Sequence, residues 1–235
     1  MKLLLNHPQP YPQESLTSWL WRLARANYID TPLLLLRYLS NQSSQQLPPL
    51  KQILVQLDDP RMFHGLAEFT HSDARKIYDL TLHRFAYPLT LPGQEPSYLS
   101  LIEGEAQQVL PSRIYRDFYT TRFVWCPHCL AQMRYVRLHW HVPLLTCCTR
   151  HNCWLLDDCP ACQRSILETD ILNGHCDRCG FVLEKADTVD VPENDLLFLD
   201  LTNLVFRRDS IQTIFNRMAQ TKPLNNTEKK PILIR

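Results

Sequence analysis

All nine cysteines of the chain lie between Cys126 and Cys179, and most of them come in pairs two residues apart. Cys126-Pro-His-Cys129 is followed by Cys148-Thr-Arg-His151, and Cys159-Pro-Ala-Cys162 by Cys176-Asp-Arg-Cys179. Thiolate and imidazole are ligands that Zn²⁺ favours, and a two-residue spacer lets one tight turn aim both side chains at a single ion. Two such turns complete a tetrahedron. The pattern predicts two structural sites in succession, Cys126/Cys129/Cys148/His151 and Cys159/Cys162/Cys176/Cys179, and two zinc ions per chain. A catalytic zinc keeps one position open, whereas each set here supplies four ligands, so the expected chemistry is bracing. Cys147 and Cys153 are left over, and Cys147 could stand in for its neighbour Cys148. His128, His139, His141 and His175 lie nearby without ligand spacing.

Two other uses of the cysteines compete with zinc. A disulfide framework needs an exported chain, and the opening Met1-Lys-Leu-Leu-Leu-Asn-His is too short, and too soon broken by Pro8 and Pro10, to be read as a signal peptide. Iron–sulfur ligation suits four cysteines, but paired turns around a hairpin-length insert favour zinc. No run approaches the roughly 18 apolar residues of a membrane span. A reducing, cytoplasmic setting with metal-bound thiolates is expected.

These sites must be held by the elements around them, and the low glycine count (5) and high proline count (17) predict short helices on stiff connections. Leu16, Trp19, Leu20, Leu23 and Ala24 recur at helical spacing, with Ser15 as cap and Asn27 and Tyr28 at the end. Arg22, Arg25 and Trp21 lie off that stripe, which makes them candidate partner contacts. Thr31-Pro32 starts a second helix, and residues 41–49 read as a loop. Segments at 60–69 and from Ser72, joined by a short turn, resemble a helix-turn-helix. Such a unit either enters a major groove or serves as a protein-binding platform. Tyr135–Val142 alternates and predicts a short strand. Residues 196–206 and 210–218 have helical spacing. The fold class expected is mainly α with small α+β zinc modules. The division is 1–100 helical, 101–187 tandem zinc fingers, 188–222 helices and 223–235 a loose tail.

Global charge is nearly balanced, with 25 bases against 24 acids. Its distribution is not. Residues 112–150 carry six arginines against Asp117, while residues 155–200 carry eleven acids against three bases. The second stretch would repel phosphate and suits a protein partner with a basic face. In the first, Arg113, Arg116, Arg122 and Arg134 are candidate contacts for weak, non-specific DNA binding.

The chain resembles the TniQ family of transposition target-selection proteins. The resemblance rests on the opening Tyr11-Pro-Gln-Glu14-Ser15-Leu16-Thr-Ser18-Trp19-Leu-Trp-Arg22, on Leu66-Ala-Glu-Phe-Thr70 followed by Leu80-Thr-Leu82, and on Trp125-Cys126, Leu138-His-Trp140, Cys148-Thr-Arg-His151-Asn152 and Cys159-Pro-Ala-Cys162 in that order. The resemblance implies a non-catalytic adaptor that couples a target-selecting element to an AAA+ transposition ATPase. The chain is short beside larger relatives. That favours the form that links a CRISPR effector, with its guide RNA and target DNA, to the ATPase; a DNA-binding target-site selector of a conventional transposon is the other reading.

An enzyme is the contrasting class. The most plausible form is a zinc-supported nuclease using His139 or His141 as general base. No Gly-x4-Gly-Lys-Ser/Thr phosphate loop is present. Asp157 and Asp158 read as solvated acids without a second carboxylate cluster for Mg²⁺.

Overall fold

A computed structural model of the chain describes residues 4–40, 66–82, 124–142 and 145–192. The expected linker near residue 100, the helices after residue 195, the tail, and Arg113, Arg116 and Arg122 lie outside these residues.

Helix α1 spans Leu16–Ala26. Ser15 caps it, its hydroxyl accepting from the Ser18 N–H at 3.2 Å, which satisfies one of the amides a helix start leaves open. The apolar stripe is buried as its spacing requires: Leu16, Trp19, Leu20, Leu23 and Ala24 are all fully covered. Asn27 closes the helix, and Tyr28 turns the chain with a left-handed φ of 57°. Helix α2, Pro32–Ser40, follows, with the Thr31 hydroxyl accepting from Leu34 N–H.

Residues 66–70 are helical. His71 takes φ 50°, and α3 runs only Ala74–Tyr78. It is capped by Asp73, whose carboxylate accepts from Arg75 N–H at 2.8 Å. The helix therefore starts later than Ser72, with Asp73 as its cap.

Helix α4, Pro127–Gln132, grows out of the first cysteine pair, with proline at its first position. Strands β1 (Cys147–Cys148) and β2 (Cys153–Trp154) pair antiparallel. Helix α5 is Glu168–Asn173, and a 3-10 turn at Leu183–Lys185 follows.

The expected strand at 135–142 is absent. Leu138–His141 forms a 3-10 turn, with Trp140 N–H on Arg137 C=O and Val142 N–H on His139 C=O. Period-two alternation implies one wet face. Here every residue from Tyr135 to Val142 is buried, so the alternation of types has no solvent side to point at.

Two apolar clusters make up most of the core. One gathers α1, Leu35 and Leu36 of α2, Leu66, Ile77, Leu80 and Leu82 with Leu138, Val142 and Leu145. It therefore joins the helical segment to the cysteine-rich region. The other surrounds the cysteines with Trp125, Leu130, Val136, Trp140, Ile166, Ile171 and Leu183. The join is also hydrogen-bonded. Ser15 N–H donates to Val136 C=O at 2.9 Å, and Leu138 N–H to Gln13 C=O at 2.8 Å. Val136 N–H donates to the Ser18 hydroxyl at 3.1 Å and Tyr135 Oη to Pro12 C=O at 2.9 Å.

Candidate metal centres

At the first cluster, Cys126, Cys129, Cys148 and His151 bring one ligand atom each within 4.8 Å of the other three. The separations can be tested against the ion. Zn–S bonds of about 2.3 Å at a tetrahedral angle put sulfurs about 3.8 Å apart, and a Zn–N bond near 2.0–2.1 Å puts sulfur and nitrogen about 3.6 Å apart. Cys129 and Cys148 Sγ are 3.6 Å apart, and His151 Nδ1 stands 3.5, 3.4 and 3.4 Å from Cys126, Cys129 and Cys148. The donors fit zinc with Nδ1 as the imidazole ligand. Metal at Nδ1 leaves Nε2–H as a donor, and the Gln132 side-chain amide lies 3.0 Å from it. With its oxygen turned inward that amide orients the ring, as partners of metal-bound imidazoles do.

The pleat separates Cys147 from Cys148. Neighbours in a strand face opposite ways, so Cys148 joins the cluster while Cys147 packs with Val191 and Trp154. Cys153, opposite Cys148 in the sheet, lies 3.8 Å from Cys126 Sγ. It stands beside the set of four without belonging to it.

Crowding these sulfurs separates their acidities. The Cys126 thiol is held down to about 6, chiefly by a hydrogen bond from Cys129. Cys148 is driven far below the ordinary thiol range, first by its hydrogen bond with Cys126 and then by those with Cys129 and Cys153. Cys129 is pushed far up, by Cys126 first and then Cys148. Such a set cannot ionise fully by itself, because each thiolate raises the next. A dication removes that conflict.

Arg137 lies under this cluster, 2 % exposed. Its guanidinium sits 4.5 Å over the Tyr135 ring and 5.0 Å over that of Trp140, and donates to Cys129 C=O at 3.4 Å.

The second cluster joins Cys159, Cys162, Cys176 and Cys179. Sulfur separations of 3.6 Å (Cys159–Cys179) and 3.7 Å (Cys162–Cys176) again match a tetrahedral edge. Its two turns are built alike. Gln163 N–H returns to Cys159 C=O and Gly180 N–H to Cys176 C=O, both at 2.8 Å. Gln163 and Gly180 take φ of 55° and 75°, and Asn152, just after His151, takes 49°. Three of the four ligand turns thus close with a left-handed residue directly after the second ligand, a place suited to glycine and asparagine. Burial pushes the Cys176 thiol up, but hydrogen bonds from Arg164 and from the Cys179 and Arg178 amides pull it down harder, to about 6. Cys179 is exposed and Cys162 half-buried, whereas the three thiols of the first site are buried.

The other candidate residues are placed as follows. Arg22 lies inside the fold. Its guanidinium meets the fully buried Glu14 through Nε at 2.8 Å and NH2 at 2.5 Å, and stacks on Tyr11. Glu14 also accepts from Tyr11 N–H and the Ser18 hydroxyl, each at 2.9 Å. Arg25 is exposed and bonds Asn173 of α5 at 2.8 Å, with Trp21 half-buried beside it. Arg134 is paired with Glu184. His139 and His141 are buried, and His141 Nε2 lies 3.2 Å from a Glu168 carboxylate oxygen. An acid therefore accompanies His141, which the sequence spacing does not reveal. Periodicity also misses Glu14, since it gives no warning of a fully covered carboxylate; the partner sits eight residues on, within α1.

The arrangement defines a class: two Cys/His clusters, each able to hold a metal ion, the first of them packed against the helical segment. The profile of the TniQ family matches residues 5–155, the greater part of the chain, and the chain belongs to that family. The match takes in the Glu14–Arg22 segment and the first cluster and stops short of the second. No curated protein matches. Among the described residues no helix is long and apolar enough to cross a membrane.

Proposed function

We propose that the chain is a non-catalytic adaptor in DNA transposition, linking a target-selecting complex, an RNA-guided CRISPR effector on its target DNA, to an AAA+ transposition ATPase. The observation that carries this reading is family membership over a segment in which helices and first metal cluster form one packed, hydrogen-bonded unit. A rigid two-sided scaffold is what an adaptor needs to hold two partners in fixed relation. Charge supports the same division: the acidic stretch 155–200 suits a basic protein face, and the four-ligand clusters leave no coordination position for a substrate. The adaptor acts in the cytoplasm, at the nucleoid when engaged.

Direct reading of DNA is the second form. Among its candidate arginines Arg134 already pairs with Glu184, so phosphate would have to displace that carboxylate. A nuclease is disfavoured by burial: a general base must reach its proton in the substrate, and His139 and His141 are 6 % and 3 % exposed.

Co-purification with the ATPase and with the guide-RNA effector, with and without nucleotide and target DNA, tests the proposal. Retention of both partners on the chain is expected. Absence of both under every condition overturns it. Binding to bare DNA that weakens steeply with salt, without either protein partner, would favour the DNA-binding selector.

A further inference from the structure

Arg164 sits where two negative groups converge. Its terminal nitrogen NH2 lies 2.8 and 2.6 Å from the two oxygens of Asp170 and 3.6 Å from Cys176 Sγ. Asp170 is fully buried at the start of α5. It also accepts from Leu167 N–H at 2.7 Å, which closes the N-terminus of α5, and from Asp177 N–H at 2.8 Å, inside the Cys176–Cys179 turn. One carboxylate thus ties the helix to the metal turn, and one guanidinium ties that carboxylate to a metal-ligand sulfur.

The charges explain why the arrangement needs an arginine. Four thiolates around Zn²⁺ leave two negative charges, and Asp170 adds a third nearby. Arg164 is the cation hydrogen-bonded to both. All three contacts run through NH2, so one end of a permanently charged, planar guanidinium serves the carboxylate and the thiolate together, which an ammonium on a flexible stem does less well. Helix α5 also carries the contacts to α1: Thr17 Oγ1 donates to Glu168 at 2.5 Å, and Arg25 reaches Asn173.

We propose that Arg164 is a positioning residue for the second metal site: its N–H···S bond to Cys176 and its grip on Asp170 hold the four-thiolate cluster closed and lock that cluster to α5. The first site has no equivalent grip from Arg164 and is unaffected by it.

The experiment uses the full zinc-loaded chain and Arg164→Gln, challenged with a chromogenic zinc chelator. Alkylation read by mass spectrometry identifies which cysteines are freed. Partners of this kind change metal affinity by about 10–100-fold, so release from Cys159, Cys162, Cys176 and Cys179 should quicken by that factor, while release from the first site keeps its rate. In the Co²⁺-substituted protein the sulfur-to-metal charge-transfer absorption should shift to longer wavelength, because losing an N–H···S bond raises the sulfur lone pairs. A purely structural role would leave that band in place. Arg164→Lys, which keeps the charge but not the planar guanidinium, should fall between the two in both measurements, and it decides the matter if the glutamine variant does not fold. Release at the parent rate with an unmoved band, in whichever variant folds, overturns the proposal.

Discussion

Glu14 offers the sharpest test of how the N-terminal segment is held. It is wholly buried, Arg22 is 17 % exposed, and the guanidinium meets both carboxylate oxygens. Replacing Glu14 by alanine removes the acceptor for Tyr11 N–H and the Ser18 hydroxyl and leaves Arg22 partly buried without its counter-charge. Breaking a buried pair from one side costs about 3–5 kcal/mol, because the surviving charge is left desolvated. The partial exposure of Arg22 lets water relieve some of that, which sets the expectation near the lower end, about 3 kcal/mol. With a urea slope of about 1–3 kcal/mol/M the unfolding midpoint should fall by roughly 1–3 M. Tryptophan fluorescence follows it, since Trp19 and Trp125 are buried on the two sides of the junction. Arg22→Ala should cost a comparable amount, because it leaves the fully buried Glu14 carboxylate without its counter-charge, although two other donors remain on it. The double variant should be milder than the sum of the two singles by at least about 1.5 kcal/mol, the least coupling expected for a charged hydrogen-bonded pair. Additive losses, or a Glu14→Ala midpoint within about 0.3 M of the parent, would refute the idea that this pair fastens the segment.

Three further outcomes follow from the same geometry. Cys147→Ala should keep two zinc ions per chain and Cys148→Ala should keep one or fail to fold, read by metal analysis of purified protein; equal losses would mean the strand register is wrong. The second zinc should leave first under a chelator, since Cys179 is exposed and Cys162 half-buried while the thiols of the first site are covered; cysteine labelling that begins at Cys126 or Cys129 would contradict this. Gly174→Ala should destabilise by about 1–2 kcal/mol in denaturant unfolding, because Gly174 closes α5 at φ 79° and an added methyl would stand 2.8 Å from the Arg134 guanidinium; an unchanged midpoint would mean α5 ends differently.

Ligand spacing was the most legible part of the sequence, because coordination geometry is local: Cys-x2-Cys and Cys-x2-His need only a turn. The α1 stripe and its Ser15 cap were legible for the same reason. Long-range partners were not. Asp170 reads as an ordinary helix acid, yet it is the hub between a helix start and a metal turn. Leu138–His141 has the types of a strand and the burial of a packed turn, since the first core cluster covers one side and the second the other. The choice between Cys147 and Cys148 required the pairing of Cys148 with Cys153, which only the folded hairpin supplies.

Two closed metal sites of different ligand composition are expected to brace this scaffold. Zinc-edge X-ray absorption on the purified chain, combined with elemental analysis, tests this most directly. Two zinc ions per chain are expected, with a coordination shell averaging about 3.5 sulfurs near 2.3 Å and about 0.5 nitrogen near 2.0 Å, and no oxygen. A folded chain with fewer than two zinc ions, or a shell containing water or carboxylate oxygen, would contradict this.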